Sequence, residues 1–96
     1  MFSAEKINAV KECLKSEFPD HSLHDRFDFD REAQTFRLLQ DENSELKLVT
    51  VAREFIEDHA AGEISMILNR LQLSDTFQRT KDKNRMIVTS KGITFE

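Results

Sequence analysis

Three histidines are the side chains in this 96-residue chain best suited to metal binding or acid–base chemistry. His21 and His24 stand three residues apart, among Asp20, Asp25 and Asp28. Two imidazoles and one carboxylate could bind a zinc ion if a turn brought all three together. No third ligand follows at a recognised interval, however. The alternative is a polar turn that leads into a strand with an acidic outer face.

His59 follows two carboxylates, Glu57 and Asp58, and could form an acid–base pair with one of them. Acids are also common where a helix begins, because its free backbone N–H groups and its dipole attract negative charge. Asp58 is therefore predicted to be the N-cap of a helix. Cys13 lies in an amphipathic stretch with no nucleophile motif beside it, which favours a packing role for its thiol.

Glycine and cysteine usage excludes several kinds of site. Gly62 and Gly92 are the two glycines of the chain, and they are too far apart to form a glycine-rich phosphate loop. The single cysteine excludes an internal disulfide and any site built from several cysteines. No cofactor is predicted, and a catalytic or metal site would have to use His21, His24 or His59.

Positive charge is concentrated near the C-terminus, where residues 70–91 contain six Lys or Arg and two Asp. This segment could contact the phosphates of nucleic acid through Arg79, Lys81, Lys83 and Arg85. The alternative is a solvated charged loop that protects an edge hairpin from aggregation. The net charge of −4 argues against bulk attraction to nucleic acid or to an anionic membrane.

Length and composition indicate one domain spanning residues 1–96, because a chain of this size supports a single core. No apolar run approaches the roughly 18 residues that span a bilayer. The first residues lack the unbroken apolar segment of a signal peptide. A cytoplasmic protein without a membrane partner is expected.

Apolar spacing predicts a helix over residues 4–17, followed by strands. Alternating apolar residues predict a first strand through Leu23, Phe27 and Phe29 and a second, over 33–40, through Phe36 and Leu38. Polar turns are expected at 30–32 and 41–44. Such short connections favour antiparallel pairing.

The segment from Glu45 to Leu73 is the centre of the expected fold. Its β-branched residues favour a third strand, which we expect to reach about Ile56, although a helix could instead start within 52–57. A second helix is predicted after Asp58 from four apolar residues at helical spacing: Ile64, Ile67, Leu68 and Leu71.

A C-terminal β-hairpin is the last predicted element. Met86–Thr89 and Ile93–Glu96 flank Ser90-Lys91-Gly92, a connection in which the glycine takes a left-handed bulge conformation. The order α-β-β-β-α followed by a hairpin predicts an α+β fold, with an antiparallel sheet and helices packed on one face.

The α-β-β-β-α order resembles that of double-stranded-RNA-binding domains in topology alone. The second helix of those domains begins with a lysine-rich segment, whereas residues 58–63 of this chain are acidic. That departure removes the phosphate-binding positions, so the resemblance implies no RNA-binding function.

No motif in the sequence specifies an activity, which favours a small non-enzymatic domain that binds another protein or a second copy of itself. A small sheet commonly leaves an edge or a face uncovered for such contacts. The candidate protein-binding residues are Arg53, Glu54, Asp58 and His59, because burial does not explain them. Nucleic-acid binding through 79–91 is the alternative, and an enzyme or metal site is the second alternative.

Overall fold

The computed structural model describes residues 3–39, 47–79 and 84–96, which form helices and one mixed sheet. The helices are α1 (Ala4–Glu17), α2 (Arg53–Asp58), α3 (Ala61–Leu71) and α4 (Leu73–Arg79). The strands are β1 (Ser22–Asp28), β2 (Ala33–Leu39), β3 (Lys47–Ala52), β4 (Arg85–Thr89) and β5 (Gly92–Phe95). The predicted turn at 41–44 and most of the polar loop before β4 lie outside the described residues.

The five strands lie in the order β1-β2-β3-β4-β5. β1–β2, β2–β3 and β4–β5 pair antiparallel, as expected, whereas β3 and β4 pair parallel. Parallel neighbours need a long crossover, and helices α2, α3 and α4 lie in the connection between β3 and β4. The predicted α+β class is confirmed, with one parallel pairing in a mostly antiparallel sheet.

Side chains of alternate strand residues divide the sheet into two faces, which we call the covered face and the open face. The covered face packs on the helices, and its buried residues include Phe36, Leu38, Val49, Val51, Met86 and Val88. Val10 and Leu14 of α1 and Ile64 and Leu68 of α3 complete the same core. Among the described residues, no side chain of the open face belongs to this core.

Helix α1 begins and ends at the predicted residues, because its apolar stripe and Pro19 define both its buried side and its end. Cys13 is buried against α3, and its Sγ lies 3.7 Å from the carbonyl oxygen of Ser65. Burial raises the pKa of the Cys13 thiol. The predicted packing role of this cysteine is confirmed.

Strand β3 ends at Ala52, so the prediction that it continues to Ile56 is wrong. The chain is helical from Arg53 to Asp58, and both Phe55 and Ile56 are buried. Consecutive strand residues point to opposite faces of a sheet, so a strand with one open face could not bury both. A helical turn places both of them in the core.

Asp58 is the last residue of α2, so the prediction that it caps the second long helix is also wrong. Helix α3 instead has Ala60 at its N-cap, and Glu63 Oε1 accepts the Ala60 backbone N–H at 3.1 Å. Glu63 therefore occupies the positive end of the helix, as expected.

Phe29 lies in the turn between β1 and β2 and is 81% exposed, so its predicted place on the covered face is wrong. The Asp28 side chain accepts the backbone N–H groups of Asp30 and Arg31 at 3.1 and 3.3 Å. These hydrogen bonds end β1 before the alternation can reach Phe29.

The C-terminal hairpin is present, and Gly92 has the predicted positive φ, at 127°. Gly92 pairs with Thr89 as the first residue of β5, so Ser90 and Lys91 alone form the connection, and the predicted three-residue connection with a glycine bulge is wrong. No helix in the described ranges is long and apolar enough to cross a membrane. The cytoplasmic location stays a prediction.

Candidate functional site on the open face of the sheet

The strand register sets the open-face side chains in rows across the sheet. One row contains His24, Arg37, Leu48 and Arg85, and the next contains Arg26, Thr35, Thr50 and Ile87. Adjacent strands are about 4.8 Å apart, so Arg37 and Arg85 flank Leu48, and Arg26 is a diagonal neighbour of Arg37. We call Arg26, Arg37 and Arg85 the arginine cluster.

Thr35 and Thr50 lie at the centre of the open face and are only 4% and 2% exposed. Their Oγ1 atoms are 3.2 Å apart, and Arg85 Nη1 donates to Thr50 Oγ1 at 2.8 Å. The longer side chains in the two rows shield these hydroxyls from water, since no helix packs on this side of the described chain. A buried hydrogen-bonded chain therefore runs from Arg85 to Thr35.

The acidic side chains near the arginine cluster are engaged by another arginine. Arg31 Nη2 donates to Glu96 Oε1 at 2.7 Å, and Arg31 Nε lies 3.8 Å from Asp28 Oδ2. The hydrogen bond from Arg31 lowers the pKa of Glu96. Glu96 also lies 3.8 Å from Arg85 Nε. The negative charges of Asp28 and Glu96 are thus compensated mainly by Arg31.

Arg26 and Arg37 have no carboxylate within 4.0 Å in the described part of the chain. A cavity of about 260 Å³ lies beside them and is lined by Arg26, Asp28, Thr35, Arg37, Leu48 and Arg85. Three guanidinium groups and one carboxylate give this cavity an excess of positive charge. Its chemistry suits an oxyanion, because the planar guanidinium fork matches a carboxylate or a phosphate.

Arg53 and Glu54 were predicted to bind a protein partner, and both lie exposed at the start of α2. Arg53 is already engaged, with Nη1 3.1 Å from Glu32 Oε2 and Nε 3.7 Å from Glu57 Oε1. Exposed pairs of this kind contribute little to stability. They do compensate the charge of Arg53, in contrast to Arg26 and Arg37.

Asp58 and His59 lie at the other end of α2. Asp58 is exposed, and the His59 ring contacts the Phe55 ring at a centroid distance of 4.8 Å. His59 Nδ1 lies 2.8 Å from the Phe55 carbonyl oxygen, so Nδ1 is the protonated nitrogen that donates this hydrogen bond. His59 therefore satisfies a carbonyl group at the helix C-terminus.

The predicted basic segment is not one surface in the described chain. Arg79 is exposed at the end of α4, whereas Arg85 lies on the open face with the arginine cluster. Lys81 and Lys83 lie outside the described residues. The structure therefore connects Arg85 with residues of β1 and β2 that are distant in sequence.

His21 and His24 do not share a site. His24 lies on the open face, whereas His21 packs against the core residue Phe18 at 5.3 Å, and its Nε2 lies 3.4 Å from Lys47 Nζ. Burial and the Lys47 charge lower the pKa of His21. The described ranges contain no group of three or more His, Cys, Asp or Glu side chains that could hold a metal ion.

Sequence reasoning did not select Arg26, Arg37, Thr35 or Thr50 as functional residues. The alternation in β1 and β2 does place Arg26, Thr35 and Arg37 opposite the apolar residues. That signal identifies an outer face, but not the neighbouring strand that brings Arg85 to it.

Comparisons of the chain with protein-family models, curated proteins and solved structures gave no match. A functional proposal for this protein therefore rests on the geometry of its own residues.

Proposed function

We propose that this protein is a small non-enzymatic interaction module that binds an acidic segment of another protein on the open face of its sheet. The arginine cluster carries the proposal. Within the described ranges, two of its three guanidinium groups have no carboxylate partner. The third holds the buried threonine pair.

Like charges directly opposite each other on adjacent strands disfavour the folded state, and diagonal neighbours repel each other more weakly. Arg26 and Arg37 are such neighbours, and the chain as a whole has a net charge of −4. A local cluster of cations on an acidic protein is therefore not explained by stability. Carboxylates of a partner would neutralise the cluster and would also favour rapid association.

The composition of the open face supports a protein partner over a nucleic acid. Single-stranded nucleic acids bind strongly where bases stack on aromatic side chains. The open-face positions of the described strands contain no Phe, while the half-buried Leu48 and Ile87 offer aliphatic contact beside the arginines. Apolar contact flanked by charged groups is typical of protein interfaces.

Cys13 and two of the three histidines, His21 and His59, have structural contacts, which supports a non-enzymatic role. Cys13 is a buried core residue whose thiol has a raised pKa. His59 donates Nδ1–H to a helix carbonyl, and His21 packs against Phe18. A nucleophile paired with a base would require different contacts.

Capture of partners from native lysate tests this proposal when matched variants are compared. The variant R26Q/R37Q removes two charges from the open face, and R53Q/R79Q removes two exposed charges elsewhere. We expect proteins captured by the wild type to be lost with R26Q/R37Q and retained with R53Q/R79Q. Equal capture by all three proteins, each with an unchanged melting transition, would contradict the proposal.

A second copy of the chain is the other protein partner to consider. Light scattering at micromolar concentration measures this directly. A monomer throughout that range would reject self-association and leave a heterologous partner.

A further inference from the structure

The volume of the cavity beside the arginine cluster limits the size of its occupant. Its volume of about 260 Å³ lies below the roughly 300–1,000 Å³ that is usual for small-molecule and cofactor pockets. It therefore suits the end of one side chain better than a whole cofactor. The lining is mainly hydrogen-bond donors, so the end group must accept hydrogen bonds.

Arg26 and Arg37 provide the available donors of this cavity. Each guanidinium has five N–H groups, and no carboxylate of the described chain lies within 4.0 Å of either one. Arg85, in contrast, already has contacts within the chain, since it donates to Thr50 and lies 3.8 Å from Glu96. An incoming oxyanion would therefore meet Arg26 and Arg37 first.

Thr35 provides a further donor through its contact with Thr50. Thr50 Oγ1 accepts a hydrogen bond from Arg85, so its own hydroxyl proton is free to be donated to Thr35 Oγ1, 3.2 Å away. The Thr35 hydroxyl proton can then point into the cavity that Thr35 lines. An anion in the cavity favours this direction of the chain, because each hydrogen bond then points toward the negative charge.

Asp28 also lines the cavity and reduces its positive charge. The three guanidinium groups outweigh this one carboxylate, so the cavity still attracts an anion, whether a carboxylate or a phosphate. A carboxylate is favoured because it belongs to the protein partner proposed above, whose neighbouring residues can also contact the half-buried Leu48 and Ile87.

We infer that the cavity between Arg26, Arg37 and Thr35 binds one Glu or Asp carboxylate of the acidic segment. This assignment rests on the proposed function and gives it a specific subsite. Arg26 and Arg37 are the specificity-determining residues, and Thr35 adds a neutral donor whose position Thr50 and Arg85 fix.

Titrations followed by NMR test the assignment at constant ionic strength. The probes are hexaglutamate, hexaglutamine and inorganic phosphate, and the signals are the side-chain Nε–Hε resonances of Arg26 and Arg37. We expect saturable shifts with hexaglutamate and none with hexaglutamine. Phosphate should bind more weakly than hexaglutamate.

Variants make the test specific to this cavity. Arg26→Gln or Arg37→Gln should weaken hexaglutamate binding about tenfold or more, as loss of a charge-assisted hydrogen bond implies. Thr35→Val should weaken it several-fold, and Arg79→Gln should leave it unchanged. Arginine signals that do not move, affinities indifferent to Arg26 and Arg37, or phosphate binding as tight as hexaglutamate would overturn the assignment.

The two proposals fail in different ways. If lysate capture depends on Arg26 and Arg37 while hexaglutamate leaves their signals unmoved, the interaction surface stands and the carboxylate subsite fails. If hexaglutamate binds through both arginines while capture is equal for all variants, the subsite stands and the proposed function fails.

Discussion

The covered and open faces consist of alternate residues of the same strands, yet different interactions hold them. Phe36, Val49 and Met86 are fully buried on the covered face, where each apolar side chain removed from water contributes about 1.5–3 kcal/mol. Thr35, Thr50 and Arg85 on the open face are linked by hydrogen bonds. The covered face contributes the apolar burial, and the open face contributes hydrogen bonds and carries the uncompensated charges of Arg26 and Arg37.

Asp25 is an acidic side chain on the covered face. Its carboxylate lies 2.8 Å from Lys11 Nζ and accepts a hydrogen bond from Gln34 Nε2 at 2.6 Å. Asp25 lies in the middle of β1. Both of its contacts are internal, so this charged group is compensated where Arg26 and Arg37 are not.

Phe36→Ala should produce the largest effect, because it creates a cavity in the centre of the covered face. We expect a loss of about 3–5 kcal/mol in the free energy of unfolding. Urea denaturation measures this loss, with Leu48→Ala on the open face as the comparison. A Phe36→Ala cost no greater than that of Leu48→Ala would show that the two faces do not differ as described.

Thr50→Val should cost about 1–2 kcal/mol, because it leaves Arg85 without its acceptor and Thr35 without its partner. In the double variant T35V/T50V, the cost should be less than the sum of the single costs, since both substitutions remove the same hydrogen bond. Unfolding of the four proteins gives this coupling directly. Additive costs would mean that the two hydroxyls are independent.

Lys11→Met should cost up to about 1 kcal/mol, because it removes one of the two contacts of the partly exposed Asp25 carboxylate. Adding Asp25→Asn should recover part of this loss, since an amide needs no counter-ion. Thermal unfolding of both variants checks the expectation. No recovery in the double variant would contradict the view that the loss comes from leaving the Asp25 carboxylate without its counter-ion.

The smallest expected effect is the contribution of His21 to the pH dependence of stability. Its sign follows from the contacts of His21. Burial and Lys47 lower its pKa below 6.5 in the folded protein, so the unfolded chain binds more protons just below that pH. This contribution to stability is present above pH 6.5 and is lost as the pH falls towards the folded pKa. The His21→Gln variant should not show this pH-dependent loss of stability. An NMR titration midpoint of His21 at or above 6.5 would contradict the expectation.

The order of elements could be predicted because apolar periodicity reflects local burial. Helix α1 has its apolar residues at helical spacing, and β2 has Phe36 and Leu38 at strand spacing. Gly92 likewise identifies the hairpin through a backbone conformation that glycine adopts without strain. Each of these patterns depends only on residues close together in the chain, so the sequence is enough to predict the element.

The end of β3 could not be predicted, since the segment that follows it is compatible with either strand or helix. Packing sets this boundary, because a helical turn after Ala52 allows both Phe55 and Ile56 to be buried in the core. The predicted position of Phe29 is wrong for a related reason. The hydrogen bonds of Asp28 end β1 before the alternation of apolar and polar residues ends.

The sequence by itself determined that Arg26, Thr35 and Arg37 face away from the apolar residues. Only the tertiary structure decided that they lie together with Thr50 and Arg85 on one face of the sheet. The parallel pairing of β3 with β4 places Arg85 opposite Leu48. That contact joins strands separated by three helices, and no local pattern of residues specifies which strand becomes the neighbour.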